Sequence, residues 1–107
     1  MKIPNPPKGV SSEAKRWWRA LMTENDISDA AGRLLLQTAL EAFDRMREAQ
    51  VQIEGDGSVV LDRFGQAKSH PSVAVERDAR AQVMAALKQL NLDLEPLRDG
   101  PGRPGGS

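Results

Sequence analysis

Residues 29–55 read DAAGRLLLQTALEAFDRMREAQVQIEG, a proline-free run that starts at an acid and stops at a glycine. Apolar residues recur in it at spacings of three and four, which is the pattern of an amphipathic helix. Asp29, or Ser28 before it, is typical of an N-cap, and Gly55 is typical of a C-terminal stop. About 25 residues at ~1.5 Å each give roughly 37 Å, so part of this helix should project from a domain of this size.

The apolar arc of the long helix is wide enough to divide into two seams. The first is bulky and consists of Leu36, Leu40 and Phe43. The second repeats at alternating spacings of four and three, the heptad-like pattern of packed helices. It consists of Leu35, Ala39, Ala42, Met46, Ala49 and Ile53. Because its alanines would let another helix approach closely, and a short chain leaves apolar surface uncovered, we assign this second seam to contacts between identical copies.

The sequence before the long helix predicts an arm and a first helix. Residues 1–10 hold three of the seven prolines and show no periodicity, so they predict a flexible basic arm. Helix 1 is predicted over residues 12–24, with Ser11 or Ser12 as N-cap. Its apolar stripe includes Trp17 and Trp18, which favours a packing role for both rings over stacking on bases.

The sequence after the long helix predicts a hairpin, a third helix and a tail. Residues 55–58 are turn-forming, and residues 58–65 can form a short extended pair or hairpin. Pro71 marks the first turn of helix 3, which should end near Asn91. Residues 98–107 cannot bury enough apolar surface to offset their ordering entropy and should be disordered. The predicted fold class is therefore mainly α, with three helices in a core and oligomerisation domain over residues 11–97.

The composition of the 107 residues narrows the class of protein. A hydrophobic content of 39% permits one domain with a small core. The absence of cysteine excludes disulfides, thiolate metal sites and cysteine nucleophiles. The first residues lack the apolar stretch of a signal peptide, and the longest apolar run, residues 83–87, is too short to span a bilayer. We therefore expect a protein that is not exported and has no membrane partner.

Charge is balanced overall but unevenly distributed. Fifteen cations and fifteen acids give a net charge of zero, so the chain lacks the basic character of many nucleic-acid-binding proteins. Residues 1–21 carry five cations and one acid, a net +4, whereas residues 22–56 carry three cations and eight acids, a net −5. The five cations are Lys2, Lys8, Lys15, Arg16 and Arg19. They are candidate phosphate contacts, and the alternative is that they only solvate a helix face.

Catalytic groups are scarce in the sequence. His70 is the only histidine, and its position before Pro71 favours a capping or packing role over that of a general base. A zinc site needs several nitrogen or sulfur ligands, and a nucleotide-binding loop needs its glycines and lysine. Glu41, Asp44 and Glu48 fall on the solvated side of the long helix, as an ordinary charged face would. We predict no catalytic site, no metal and no cofactor.

The order of these features resembles the short small-terminase family of tailed phages. In the first half of the chain the resemblance depends on the proline-rich segment at 4–7, the tract SEAKRWWR at 12–19, and the long helix after Ile27-Ser28-Asp29. In the second half it depends on the glycine-rich turn and on Lys68-Ser69-His70-Pro71, which is followed by a helix that ends in Leu90-Asn91-Leu92, with Pro96 beyond. The resemblance covers residues 4–98. The sequence departs from the family in two ways: it lacks a helix-turn-helix signature, and its C-terminal tail is short. A long segment for docking the large subunit is therefore either missing or reduced to residues 94–107.

The resemblance implies a non-enzymatic protein that recognises double-stranded phage DNA for packaging. It also implies a ring-like homo-oligomer that delivers DNA to the terminase large subunit, which carries the ATPase and nuclease. The place of action would be the cytoplasm of the infected or lysogenic bacterial host. Two other classes stay open on the residues alone. One is a helical protein-interaction adaptor without DNA contact, favoured by the zero net charge, and the other is a small nuclease, disfavoured by the single histidine.

Overall fold

A computed structural model describes residues 3–92 of the chain. The elements follow one another as α1 (Ser12–Glu24), α2 (Ala30–Asp56), β1 (Val59–Leu61), β2 (Ala67–Ser69) and α3 (Pro71–Gln89). The predicted fold class, mainly α with a long central helix and a hairpin before the third helix, is confirmed. The predicted disordered tail lies outside the described residues. In residues 3–92 no helix has both the length and the apolar character needed to cross a membrane.

α1 occupies the predicted residues because both of its ends are capped. Ser11, rather than Ser12, is the N-cap, and its Oγ accepts a hydrogen bond from the Ala14 amide at 3.0 Å. At the other end the amide and side-chain nitrogens of Asn25 both donate to the Leu21 carbonyl, at 3.0 and 3.1 Å. These bonds satisfy backbone groups that a free helix end leaves without partners.

The arm before α1 is anchored at two points, although its prolines predict a solvated segment. The Trp18 indole Nε1 donates to the Pro4 carbonyl at 2.9 Å, and Val10 is buried in the core. Because both anchors lie close in sequence to α1, the described part of the arm follows that helix.

α2 is the scaffold on which the other two helices pack. Its 27 residues span roughly 40 Å at ~1.5 Å each. α3 packs along it far more extensively than α1 does. The core comprises Val10, Ala14, Trp18, Ile27, Leu36, Leu40, Phe43, Met46 and Ala79. The bulky seam of α2 is therefore core, as its size and spacing predict.

α3 runs antiparallel to α2 and lies along it from the end of α2 toward Leu35. His70, at the start of α3, contacts Asp56 at the end of α2, and Arg45 near the middle of α2 donates to Gln82 at 2.8 Å. Further along, Ala86 of α3 shares a groove with Leu35 of α2. α3 has 19 residues against the 27 of α2, so it lies along about two thirds of that helix. That part of α2 projects beyond its own fold stays a prediction.

The hairpin consists of two short antiparallel strands and a well-defined turn. The paired residues are Val59 with Ser69, Val60 with Lys68, and Leu61 with Ala67. In the turn, Asp62 Oδ1 accepts hydrogen bonds from the amides of Phe64 and Gln66, at 2.8 and 2.9 Å. Gly65 has a φ of 79°, a conformation that side-chain-bearing residues rarely adopt. The extended segment predicted for residues 58–65 supplies only β1 and the turn, and β2 follows it.

His70 is buried and links the hairpin to both flanking helices. Its Nδ1 accepts the Ser72 amide at 2.9 Å, which caps α3, and its Nε2 lies 2.9 Å from Asp56 Oδ2. Because Nδ1 accepts, the ring hydrogen is on Nε2 and is donated to Asp56. The capping role predicted for His70 is confirmed.

Candidate nucleic-acid interface

The cations predicted to contact DNA on α1 lie outside its buried stripe. Ala14 and Trp18 point into the core with 0% and 3% exposure. Arg16 and Arg19 are exposed and Lys15 is half-buried. Lys15 and Arg19 are one turn apart, so their side chains are neighbours on the helix surface. We call Lys15, Arg16 and Arg19 the cationic face of α1.

Two more candidate cations precede the helix. Lys8 is exposed, and it lies two residues before the buried Val10, so it is held close to the start of α1. Lys2 lies outside the described residues. The structure therefore places Lys8 near the N-terminal end of α1, the helix that carries the cationic face.

The one acid of the basic front segment is neutralised within the chain. Arg47 of α2 binds both carboxylate oxygens of Glu13, with its Nε 3.2 Å and its Nη2 3.0 Å from them. The same guanidinium lies 4.9 Å from the centre of the Phe43 ring. A two-point bond of this kind fixes orientation as well as charge. Because Glu13 is paired with Arg47, it offsets little of the positive charge of α1.

A second contact fixes the start of α1 on α2. Asp44 accepts hydrogen bonds from the Ser11 amide at 2.8 Å and from the Ser11 hydroxyl at 2.6 Å. Asp44 was expected on a solvated face, but it is half-buried because α1 begins against it. The acidic middle segment thus supplies an anchor for the basic front segment.

The cations of the candidate interface have no acidic partner in the described part of the chain. The ion pairs within residues 3–92 join Arg47 to Glu13, His70 to Asp56, Arg77 to Asp78, and Arg80 to Glu76. None of these pairs uses Lys8, Lys15, Arg16 or Arg19. In that range the four side chains are therefore available to an anionic ligand.

The two adjacent tryptophans have different environments. Trp18 is 3% exposed, as its predicted packing role requires, whereas Trp17 is 48% exposed. Successive residues of a helix differ by about 100° in direction, so two neighbours cannot both point to the centre of a narrow stripe. The packing interpretation is therefore confirmed for Trp18, whereas about half of the Trp17 surface stays exposed to solvent.

A polar chain joins all three helices and was not predicted from the sequence. From the Glu13–Arg47 pair it continues through Arg47 Nη1 to Gln50 Oε1 at 2.8 Å, and from Gln50 Nε2 to Glu76 Oε2 at 2.9 Å. Arg80 closes it with its Nε 3.1 Å from the same Glu76 oxygen. The hydrogen bond from Arg80, and after it that from Gln50, lowers the pKa of Glu76 below the usual range of a glutamate. The four-residue spacing of Glu76 and Arg80 was a visible signal, but nothing in the sequence pointed to Gln50.

The six residues assigned to contacts between copies lie at the α2–α3 packing side of α2 or at its margins. Ala39, Ala42, Met46 and Ala49 are buried, and Ala42 is completely inaccessible at 0%. Leu35 and Ile53 are half-buried. The chain itself thus covers most of this seam, so its use between copies stays a prediction that would require α3 to move away.

Acidic, histidine or cysteine side chains do not gather into a group that could hold a metal ion within residues 3–92. The distinctive polar surface of this range is the cationic face of α1, whose helix is fixed on α2 by Ser11, Glu13 and Trp18. Such a structure defines a small helical protein with an exposed cationic face on its first helix.

The comparison with protein families identifies the class more closely. The family model described as phage terminase, small subunit, matches residues 14–95. The chain therefore belongs to the phage terminase small-subunit family, which has a role in phage DNA packaging and is generally non-catalytic. The comparisons with curated proteins and with solved structures gave no match.

Proposed function

We propose that this chain is the DNA-recognition subunit of a packaging terminase and binds duplex DNA through the cationic face of α1, assisted by Lys8 and Lys2. The observation that carries the proposal is the set of four described cations without an acidic partner beside a neutralised Glu13. Phosphate contacts dominate the affinity of proteins for DNA, and they require cations that are not already neutralised. The face lacks the base-reading helix of a helix-turn-helix, so it positions the chain on the backbone.

The proposed subunit works as an assembly in the cytoplasm of the bacterial host. Each chain contributes only a few cations, and a few phosphate contacts give weak binding at physiological salt. Several linked copies bind one duplex with higher avidity because each bound copy raises the effective concentration of the next. The assembly delivers the bound DNA to the large subunit, which carries the ATPase and nuclease.

The test is a double charge reversal, Lys15→Glu with Arg19→Glu, measured by fluorescence anisotropy with labelled duplex DNA. Removing two phosphate contacts per copy should weaken binding at least about tenfold and reduce the slope of log K against log [salt] by about 2 for each copy that touches the duplex. Both side chains lie outside the core, so circular dichroism should show an unchanged helix content.

The matched control is Arg77→Glu with Lys88→Glu, which makes the same change in net charge on exposed positions of α3. It should leave the affinity within about twofold, because only long-range screened charge changes. If both double variants lose affinity equally, the cationic face of α1 has no special role.

A protein-interaction adaptor is the second candidate. It is favoured by the zero net charge and by exposed apolar side chains on the hairpin, where Leu61 and Phe64 are 70% and 74% exposed. An adaptor would show no anisotropy change with duplex DNA even at low salt, yet would still bind the large subunit. The salt titration therefore separates the two candidates.

A further inference from the structure

We propose that the hairpin turn of one copy inserts into a cleft at the opposite end of a second copy, and that this head-to-tail contact builds the homo-oligomer. This inference rests on the assembly proposed above and identifies the two surfaces that form it. We call Arg63 and Phe64 the knob.

The knob is an exposed apolar side chain on a rigid turn. Phe64 is 74% exposed, the highest value among the large apolar side chains of residues 3–92. Its amide is held by Asp62 at 2.8 Å, and the Arg63 guanidinium lies 5.1 Å from the centre of its ring. A turn that is already ordered loses little conformational entropy on binding. Buried aromatic and arginine side chains are also the ones that dominate interface energetics.

Strand β1 extends the apolar surface of the knob. Val59 and Leu61 are two residues apart, so their side chains lie on the same side of the strand. They are 61% and 70% exposed. With Phe64 they place three large, exposed apolar side chains on one hairpin. A two-stranded hairpin is only marginally stable without cover. A partner that covers this side would therefore stabilise the hairpin as well.

The cleft lies between the N-terminal arm and the connection from α1 to α2. It has a volume of about 630 Å³, within the range of ligand-sized pockets. Its apolar lining consists of Ile3, Pro4, Met22 and Ile27. This volume accommodates an aromatic ring together with part of an arginine side chain.

The charges of the knob and the cleft are complementary. Glu24 and Asp26 line the cleft and are exposed, and neither belongs to an ion pair within residues 3–92. Arg33 also lines the cleft and donates to the neutral Ser28 carbonyl at 2.8 Å, so the lining carries two carboxylates against one guanidinium. Arg63 is exposed and likewise has no acidic partner in that range. Insertion of Phe64 would bring Arg63 to two carboxylates.

The cleft must receive the knob of another copy. The hairpin follows the end of α2 and the cleft borders its beginning, so roughly 40 Å of helix separates them within one chain. The contact therefore joins two different surfaces, and each copy keeps a free knob or a free cleft. Contacts of this kind close into a ring when the rotation between copies permits, and otherwise continue as a filament.

The test is a charge exchange in the full-length chain, followed by native mass spectrometry and sedimentation velocity. Arg63→Glu alone, and Glu24→Arg with Asp26→Arg alone, should each weaken self-association at least about tenfold. The triple variant that combines them should restore assembly. Phe64→Ala should also dissociate the assembly, whereas Met84→Ala, at a 52% exposed position of α3, should not.

A mixing experiment gives a sharper readout. Chains with Phe64→Ala keep an intact cleft, and chains with Glu24→Arg and Asp26→Arg keep an intact Phe64. Mixed together, they should form heterodimers and nothing larger, because the remaining surfaces of each dimer are defective.

Three outcomes would overturn the contact. A wild-type chain that stays monomeric at all concentrations overturns both the assembly and this contact. A wild-type assembly that the knob and cleft variants leave intact overturns the contact alone. If those variants assemble normally but no longer bind the large subunit or duplex DNA, the knob has that other partner instead.

Discussion

Trp18 joins α1 to both the arm and the core, because its ring is 3% exposed and its Nε1 donates to the Pro4 carbonyl. Replacing a buried tryptophan by alanine costs about 3–5 kcal/mol. We expect Trp18→Ala to lower the free energy of unfolding by about that amount. Trp17→Ala, at a neighbouring 48% exposed position, should cost less than about 1 kcal/mol. Urea denaturation followed by circular dichroism measures both, and equal losses would contradict the different packing of the two rings.

Glu76 makes the stability of the fold depend on pH, and the direction of that dependence follows from its pKa. Its pKa is lowered below the usual range of a glutamate, mainly by the hydrogen bond from Arg80 and next by that from Gln50. A group with a depressed pKa in the folded state stabilises it above the unfolded pKa, and this stabilisation is lost as the pH falls through the folded value. Glu76→Gln should therefore lower Tm at pH 6, and it should flatten the decline of Tm below about pH 4.3, the ordinary pKa of a glutamate. Glu48→Gln, at an exposed position of α2, is the control, and identical profiles would contradict the prediction.

At the scale of elements, α3 packs against the alanine-rich seam of α2, so a substitution in that seam tests the stability of the fold before it tests assembly. Ala42 is inaccessible, so Ala42→Glu places a carboxylate in the apolar packing between the helices. An unpaired buried charge costs about 3 kcal/mol or more. We expect a large fall in Tm at every protein concentration, whereas Thr38→Glu, exposed on the same helix, should cost under about 1 kcal/mol. A folded Ala42→Glu chain that only loses assembly would support the seam as an interface between copies.

The sequence predicted those elements whose signals are local. The spacing of apolar residues, Ser11 and Pro71 located α1 and the start of α3, since caps and periodicity act within a turn or two. The pairing of α2 with α3 was not predictable in the same way. A seam of small residues predicts that another helix packs on α2. The spacing of these residues is the same whether that helix belongs to the same chain or to another copy. For this reason the interface was assigned to residues that α3 already buries.

The candidate site shows the same division between local and distant information. Lys15, Arg16 and Arg19 could be found because their positions follow from the angle per residue of a helix. The pairing of Glu13 with Arg47 joins residues 34 positions apart, and the complementarity of the hairpin turn and the α1–α2 cleft joins opposite ends of α2. Both depend on the packed fold, and no pattern along the chain encodes them visibly.

In the whole molecule, the surfaces proposed for DNA and for assembly are separate, so each can be altered alone. Phe64→Ala leaves every cation of α1 in place but removes the knob. Because log K falls with log [salt] by about 0.9 per neutralised phosphate, the slope of log K against log [salt] counts the phosphate contacts made by all the copies on one duplex. We expect Phe64→Ala to bind duplex DNA more weakly and with a shallower slope than the wild-type assembly, since single chains bind independently.

Lys15→Glu with Arg19→Glu should lower the slope by a different route, because the assembly persists while each copy makes fewer phosphate contacts. The two routes are distinguished by anisotropy titrations at about 50 to 200 mM salt, the range in which phosphate contacts change the affinity strongly. Sedimentation of the same samples shows whether the assembly persists. Met84→Ala is the control and should match the wild-type chain in both measurements. A Phe64→Ala protein that sediments as single chains but keeps the wild-type slope would show that one copy makes all the DNA contacts, and that assembly adds nothing to DNA affinity.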